Sequence, residues 1–345
     1  MAASQAVSAS LREVEPNAEV RILDLPTCTS SPSRFLVNGL YNSLLRWDVG
    51  MCGLFVRVGE IISFHSWGPK LEDPRRIRGT IQREDPDVVV LMSPWIQHSV
   101  AAALQGHGTR IVSVVVDLGR RLPMGWVCND VDRVIAPTKA ALDYMVEQGM
   151  RPDIVEMGGV IVHPKYLREG NGNAERGSVL LLTGHEGTRT TGLLAKELLA
   201  HDSVSQLDVM CGRNQRLLRD LEGLEDGRLR PHGYVPDMLP FYQANQVVVS
   251  KCGALTLGEC IATGRPMVVD ASSGVMPQEM GNVDLVNSEG IGTVGSTGKD
   301  VALQTAQLLD DPTRLDAMRE RLTRAQQLLG PHKVASSIME VVEDR

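Results

Sequence analysis

Nine short runs rich in Val, Ile and Leu recur along this chain at helix-length intervals, and they constrain its fold more than any other feature. They read "EVRILDL" (19–25), "DVVVLMS" (87–93), "RIVSVVVD" (110–117), "RVIAPT" (133–138), "IVEMG" (154–158), "SVLLLTG" (178–184), "QLDVMCG" (206–212), "QVVVSK" (246–251) and "PMVVD" (266–270). Each run is continuous, not alternating, which is the pattern of a strand covered on both faces. Strands spaced by helix-length segments imply parallel pairing through helical crossovers, so the expected class is α/β with doubly wound parallel sheets. Between the fifth and sixth runs lies "HPKYLREGNGNAERGS", where a Pro, three Gly and two Asn interrupt apolar periodicity. The expected division is a Rossmann-like domain over 1–165, a linker over 166–177 and a second Rossmann-like domain with C-terminal helices over 178–345. A chain of 345 residues is long enough for two such cores.

Composition excludes several classes. With 43% hydrophobic residues, 22% charged residues and a formal charge of −7, the balance gives no reason to expect a nucleic-acid partner. Basic character is local: "DPRRIRGTIQR" gathers Arg75, Arg76, Arg78 and Arg83, which can face anionic lipid headgroups or form a solvated helix face. The six cysteines, Cys28, Cys52, Cys128, Cys211, Cys252 and Cys260, form no C-x-x-C pair, and no His cluster has metal-ligand spacing, so reduced thiols and no metal site are expected. No apolar stretch approaches the roughly 18 residues of a membrane span, and the N-terminus lacks the features of a signal peptide. A cytoplasmic protein that is not integral to a membrane is the expectation.

Ligands of a doubly wound sheet sit at the carboxyl ends of its strands, so the strand–helix turns of the second half carry the information. "LLLTGHEGTRTT" places Gly184 and Gly187 where backbone N–H groups can approach a phosphate, although such turns also close strands for steric reasons. "VMCGRNQRL" repeats the arrangement with Arg213 and Asn214 after Gly212; Arg213 is an anion or base contact, or a surface charge. In "SKCGALTLGE" Gly253 follows a strand, and Thr256 and Glu259, three apart, share one helical face. A glutamate there interacts with the helix macrodipole, but it also suits a ribose diol beside a phosphate-binding turn. "VMPQEMGNVDLV" adds Gln278, Glu279 and Asn282, able to bond several hydroxyls of a hexose. In sequence order the four turns describe a nucleotide-sugar site.

"CGRN", "HGYVPDM", "SKCGALTLGECIATGRPMVV" and "QEMGNVDLVNSEGIG", with "DPDVVVLMSPWIQHSVAAAL", "VSVVVDLG" and "DRVIAPTKAALDYMVEQGM" in the first half, resemble family 28 glycosyltransferases over about residues 80 to 292. The branch resembled is that of the monogalactosyl- and glucosyl-diacylglycerol synthases, and more distantly the MurG-like N-acetylglucosaminyltransferases. The resemblance implies a GT-B fold, two Rossmann-like domains facing across a cleft, with donor on the second and acceptor on the first. It places Gly184, His185, Glu186, Gly187 and Thr188, joined by Gly253 and Thr256, at the donor's diphosphate; Gly233, Tyr234 and Val235 around uracil; Glu259 on the ribose; and Gln278 and Glu279, with Asn282, on the sugar. It implies an inverting reaction without cofactor or metal, in which a hexose or hexuronic acid passes from a UDP-sugar to a lipid-type hydroxyl.

The same resemblance makes Asp117, closing "VSVVVD", the base that deprotonates the acceptor; by residue type alone it is equally a helix N-cap or turn residue. His98 in "SPWIQHS" is a second polar candidate near the acceptor, or a structural hydrogen-bonding partner. The family's opening strand and "GGGH"-type turn have no counterpart here, so the first strand and Gly-rich turn of the first domain are expected to be absent. Three functions follow: a UDP-sugar-dependent transferase on the inner, cytoplasmic face of a bacterial membrane, acting on diacylglycerol or on a prenyl phosphoglycerate; a GT-B nucleotide-sugar 2-epimerase; or a non-catalytic nucleotide-sugar-binding protein with a degenerate acceptor domain. The expected partners are a UDP-sugar, a lipid or prenyl-lipid acceptor and an anionic membrane surface.

Overall fold

The computed structural model describes residues 2–23, 74–168, 172, 174–182 and 190–344. In chain order the elements are α1 (Ala2–Val14), α2 (Pro74–Glu84), β1 (Val88–Leu91), α3 (Gln97–Leu104), β2 (Arg110–Val114), β3 (Arg133–Ala136), α4 (Lys139–Glu147), β4 (Val155–Met157), α5 (Lys165–Arg168), β5 (Ser178–Leu182), α6 (Thr191–Leu199), β6 (Gln206–Gly212), α7 (Gln215–Glu222), β7 (Leu229–Gly233), α8 (Leu239–Ala244), β8 (Val247–Ser250), α9 (Ala254–Thr263), β9 (Met267–Asp270), α10 (Met280–Glu289), β10 (Gly292–Gly295), α11 (Gly298–Asp310), α12 (Pro312–Ala325) and α13 (Pro331–Glu343). They form two units: Met1–Pro164 with Met276–Gly281 and Leu328–Arg345, and Lys165–Val275 with Asn282–Gln327.

Unit 1 holds a parallel sheet in the order β1-β2-β3-β4. Its core joins Leu91, Val100, Ile111, Val134, Trp126 and Met145 with Ile77 and Ile81 of α2. The C-terminal helix α13 packs on strands β1 to β3 and against α1. It can do so because Val334, Ile338 and Val341 recur at helical spacing and are buried on one stripe. Arg133, opening β3, donates to the Ser337 carbonyl (3.1 Å) and to Glu340 (2.7 Å) on that helix.

The basic segment is α2, and its apolar stripe faces the core. Arg78 donates to the carbonyls of Ala103 (2.7 Å) and Gln105 (2.9 Å), closing the end of α3, and Arg83 donates to Thr80 (3.2 Å). A guanidinium at a helix C-terminus satisfies orphan carbonyls and opposes their partial charge, so Arg78 is used within the fold. One expected strand does not form where it can be seen: residues 19–23 of "EVRILDL" are irregular, with Ile22 and Leu23 exposed, and the rest of that run lies outside the described residues. Strand propensity without a neighbouring ladder leaves backbone groups to water and makes no strand.

Unit 2 holds six parallel strands in the order β10-β9-β8-β5-β6-β7. The chain therefore builds outward from β5 through β6 to β7, returns to β8 beside β5, and builds outward again on the other side. Strand order reverses between β5 and β8, and the crevice at their carboxyl ends is the topological switch point where such sheets bind ligands. Strands β7 and β10 carry no continuous apolar run and were not among the nine. Both are edges of the sheet. An edge is half-covered, so "LRPHG" can carry Arg230, Pro231 and His232, and "GTVG" can carry two glycines.

A polar cluster lies inside this sheet. Asp208 on β6 is buried and accepts hydrogen bonds from His232 Nε2 (2.7 Å), Asn245 Nδ2 (2.9 Å) and Gln206 Nε2 (2.7 Å). Burial acts to raise its pKa, but the bonds from His232, Asn245 and Gln206 and the His232 charge outweigh it, leaving the carboxyl below its usual range. A depressed folded pKa stabilises the fold above the unfolded pKa of about 4, and that contribution is lost as pH falls through the folded value. Asp208→Asn, with one acceptor atom for three donors, is expected to lose about 1–3 kcal/mol at neutral pH. Urea unfolding from neutral to acidic pH checks it: the gap from wild type should close as pH falls below the unfolded carboxyl pKa.

Candidate functional site

Of the donor residues expected from sequence, Arg213, Gly233, Tyr234, Val235, Gly253, Thr256, Glu259 and Asn282 belong to unit 2, in or beside the segments that follow strands β6 to β9. Strand β8 ends at Ser250, and the chain turns through Lys251, Cys252 and Gly253 into α9. Cys252 is buried and left-handed, with φ of +64°, a conformation rare for any residue with a side chain. Gly253 is the N-cap and supplies no side-chain bond, so the first N–H groups of α9 have no cap from that residue. Asn282, on α10, is buried and donates from Nδ2 to the Cys252 carbonyl at 2.7 Å.

Thr256 and Glu259 are half-buried on α9. Glu259 Oε2 accepts from the hydroxyl of Tyr242 at 2.6 Å, and Tyr166 also hydrogen-bonds to the carboxylate. Burial pushes the Glu259 pKa up, against the opposing effects of Tyr242, Tyr166 and the charge of Lys165. These two tyrosines were not found in the sequence: they stand 17 and 93 residues before Glu259, and only tertiary packing unites them. Gly233 closes β7, Val235 follows it, and between them Tyr234 is 60% exposed with the Arg213 guanidinium 5.3 Å from its ring centroid. An exposed ring backed by a cation at strand ends is a flat apolar platform with a charge beneath it. Gly184, His185, Glu186, Gly187 and Thr188 lie outside the described residues, immediately after β5.

The base expected on the first half is on unit 1. Asp117 lies three residues beyond β2, half-buried, and no helix begins there; the next helical turn is Met124–Trp126, whose N-cap is Pro123. It is therefore not a helix cap. Trp126 is fully buried and its indole Nε1–H donates to Asp117 Oδ2 at 2.6 Å. Burial raises the Asp117 pKa to about 6, and the indole bond, which favours the carboxylate, only partly offsets it. His98 is half-buried in the first turn of α3. Gln278 and Glu279 belong to the Met276–Gly281 segment of unit 1. That segment passes the Asp117 loop at Gly281, where a Cβ added to Gly119 would fall 2.4 Å from the Gly281 Cα, so neither glycine admits a side chain. Among the described residues no group of three or more His, Cys, Asp or Glu is placed to hold a metal.

Residues 17–157 match the family model described as a glycosyl transferase 4-like domain. Solved structures with the same architecture include S. aureus MnaA with UDP, at TM-score 0.58 and 16% identity over 79% of this chain and 77% of that one. Acinetobacter baumannii MurG gives TM-score 0.56 at 14% identity over 77% of each chain. The chain has the GT-B fold, and its residues 17–157 are similar to a glycosyl transferase 4-like domain. Among curated relatives, the processive diacylglycerol beta-glucosyltransferase of Bacillus pumilus is 25% identical over 260 residues, 72% of this chain and 67% of that protein. The chloroplastic monogalactosyldiacylglycerol synthase of Spinacia oleracea is 26% identical over 255 residues, 68% of this chain and 48% of that protein. The matched stretch thus spans about half to two-thirds of these relatives' lengths.

The Asp117 environment is open to direct measurement. Trp126→Phe keeps the apolar wall and removes the hydrogen bond that favours the charged carboxylate, so the Asp117 pKa is expected to rise above its value of about 6. Carboxyl carbon chemical shifts followed through a pH titration, with Asp117→Asn to assign the signal, check the direction.

Proposed function

We propose that this chain transfers a hexose or hexuronic acid from a UDP-sugar to a hydroxyl of a lipid-type acceptor, with inversion at the anomeric carbon and without a metal. The observation that carries the reading is Asp117, a half-buried carboxyl at the carboxyl end of β2, hydrogen-bonded by an indole and raised to about 6. A base that must take a hydroxyl proton near neutral pH works best with a pKa near that pH, and a protein that only bound nucleotide sugars would gain nothing from it. In the proposed step Asp117 takes the acceptor's proton as the acceptor oxygen bonds to the anomeric carbon. The bond from that carbon to the diphosphate breaks on the opposite side, and UDP departs with the electron pair. The first N–H groups of α9, with Thr256, receive the negative charge that grows on the diphosphate. Glu259 receives ribose hydroxyls, with Tyr242 and Tyr166 orienting its carboxylate.

Support for a uridine nucleotide comes from the neighbour solved with UDP, and for a glycerolipid acceptor from the names of the Bacillus and spinach relatives. No helix among the described residues is long and apolar enough to cross a membrane. Access to a lipid acceptor from the surface of the bilayer, with peripheral attachment at the cytoplasmic face, belongs to the same proposal.

The test is UDP release dependent on diacylglycerol vesicles, with UDP affinity measured calorimetrically on the same samples. Asp117→Asn should lower turnover about 10²–10⁴-fold and leave UDP affinity nearly intact. Wild-type kcat/KM should fall as pH drops through about 6, because the base works only when ionised. A variant that keeps more than about a third of wild-type turnover lies far below the loss of a general base and would remove Asp117 from the chemistry.

Charge on the departing diphosphate is assigned here to helix N-terminal N–H groups, so EDTA is expected to leave turnover unchanged. Activity abolished by EDTA and restored by Mg²⁺ or Mn²⁺ would contradict the metal-free mechanism.

A further inference from the structure

The left-handed residue at the mouth of α9 needs something to hold it, and the structure supplies one side chain. Cys252 is one of two non-glycine residues with positive φ among the described residues; the other, Asp85, lies elsewhere, on unit 1. Its carbonyl is met by Asn282 Nδ2 at 2.7 Å, from a side chain only 2% exposed on a different helix. The peptide joining Cys252 to Gly253 is planar and trans, so its C=O and N–H point in opposite directions. Fixing the carbonyl on Asn282 therefore fixes the direction of the Gly253 N–H and the entry of the chain into α9. The two are one rigid plane.

We infer that Asn282 is a positioning residue for the donor's diphosphate: it acts through the Cys252 carbonyl, holding the left-handed turn that aims the first N–H groups of α9. This rests on the donor reading above, but it assigns Asn282 a role different from a contact with the sugar. The Asn282 Oδ1 is buried and has no hydrogen-bond partner among the described residues, so within the chain the amide bonds through its nitrogen, to the turn.

UDP, which has no hexose, separates the two roles, and glycine at position 252 shows whether the turn is the route. Glycine adopts positive φ without strain, so a chain with Cys252→Gly has no need of the clamp. Calorimetric titration with UDP is expected to show Asn282→Ala weakening affinity about tenfold in the wild-type background, the scale of a buried hydrogen bond. In the Cys252→Gly background the same substitution should change affinity by no more than about twofold, because interacting sites give non-additive effects. If Asn282→Ala does not fold, judged by circular dichroism, Asn282→Leu keeps a similar volume, loses the N–H donor without adding a charge and is subject to the same two expectations. UDP affinity unaffected by loss of the amide donor would overturn the inference. So would a tenfold loss that persists with glycine at 252, since Asn282 would then not act through the turn. A wild type that binds no UDP would instead overturn the donor reading on which the inference stands.

Discussion

Parallel strands cannot be joined by tight turns, and the layout of both sheets in this chain follows from that constraint. Each strand must return through a crossover, the crossovers cover both faces of the sheet, and all the carboxyl ends collect on one edge. In unit 2 the strand order reverses between β5 and β8, so the connections leaving those two neighbours go to opposite faces and leave a crevice between them. One of those connections is the turn from Ser250 to Ala254. It has to change direction within three residues, and it does so by placing Cys252 at positive φ. The donor site proposed there is a consequence of the topology before it is a consequence of any one side chain.

The same constraint decides what was legible. Interior strands are buried on both faces and must be apolar throughout, so β8, written "VVVS", announces itself, as do β5 and β9. Edge strands are covered on one side, and selection for continuous hydrophobicity lapses; Pro231 in β7 lacks the N–H that an interior ladder would require. Turn residues were legible for a related reason. Glycines and small polar residues report backbone geometry locally, so Gly253 and Gly264 mark the two ends of α9 without any knowledge of the rest. Partners set by tertiary packing leave no local trace. Trp126 reaches Asp117 from nine positions along the chain, and nothing in "DLGRRLPMGW" has a period that predicts the contact. The arginines of α2 were ambiguous as sequence because the residue type states a charge and not its partner. Arg78 turned out to close α3.

Three carboxyl groups removed from water show how such partners set chemistry. Each meets the same opposition, since burial disfavours the charged form, and each meets a different number of donors. Asp117 has one donor among the described residues, the neutral indole of Trp126, and burial wins, taking the group to about 6. Glu259 has the hydroxyls of Tyr242 and Tyr166 and the charge of Lys165, and burial still prevails, so its pKa is raised. Asp208 has His232, Asn245 and Gln206, and the donors prevail, so its pKa is lowered.

The number of donors tracks the work proposed for each group. A carboxylate that holds strands together should never take up a proton in use, and three donors keep Asp208 ionised. A carboxylate that must accept a proton and return it needs the two states close in free energy, which a cation or a third donor would prevent. Trp126 gives Asp117 one neutral hydrogen bond, which fixes direction with little stabilisation of the charge. An arginine in its place would fix the carboxylate as firmly but hold it ionised, and it would no longer serve as a base near neutral pH. On the reading proposed for Asp117, a neutral donor beside it is what separates a proton acceptor from a structural anion such as Asp208.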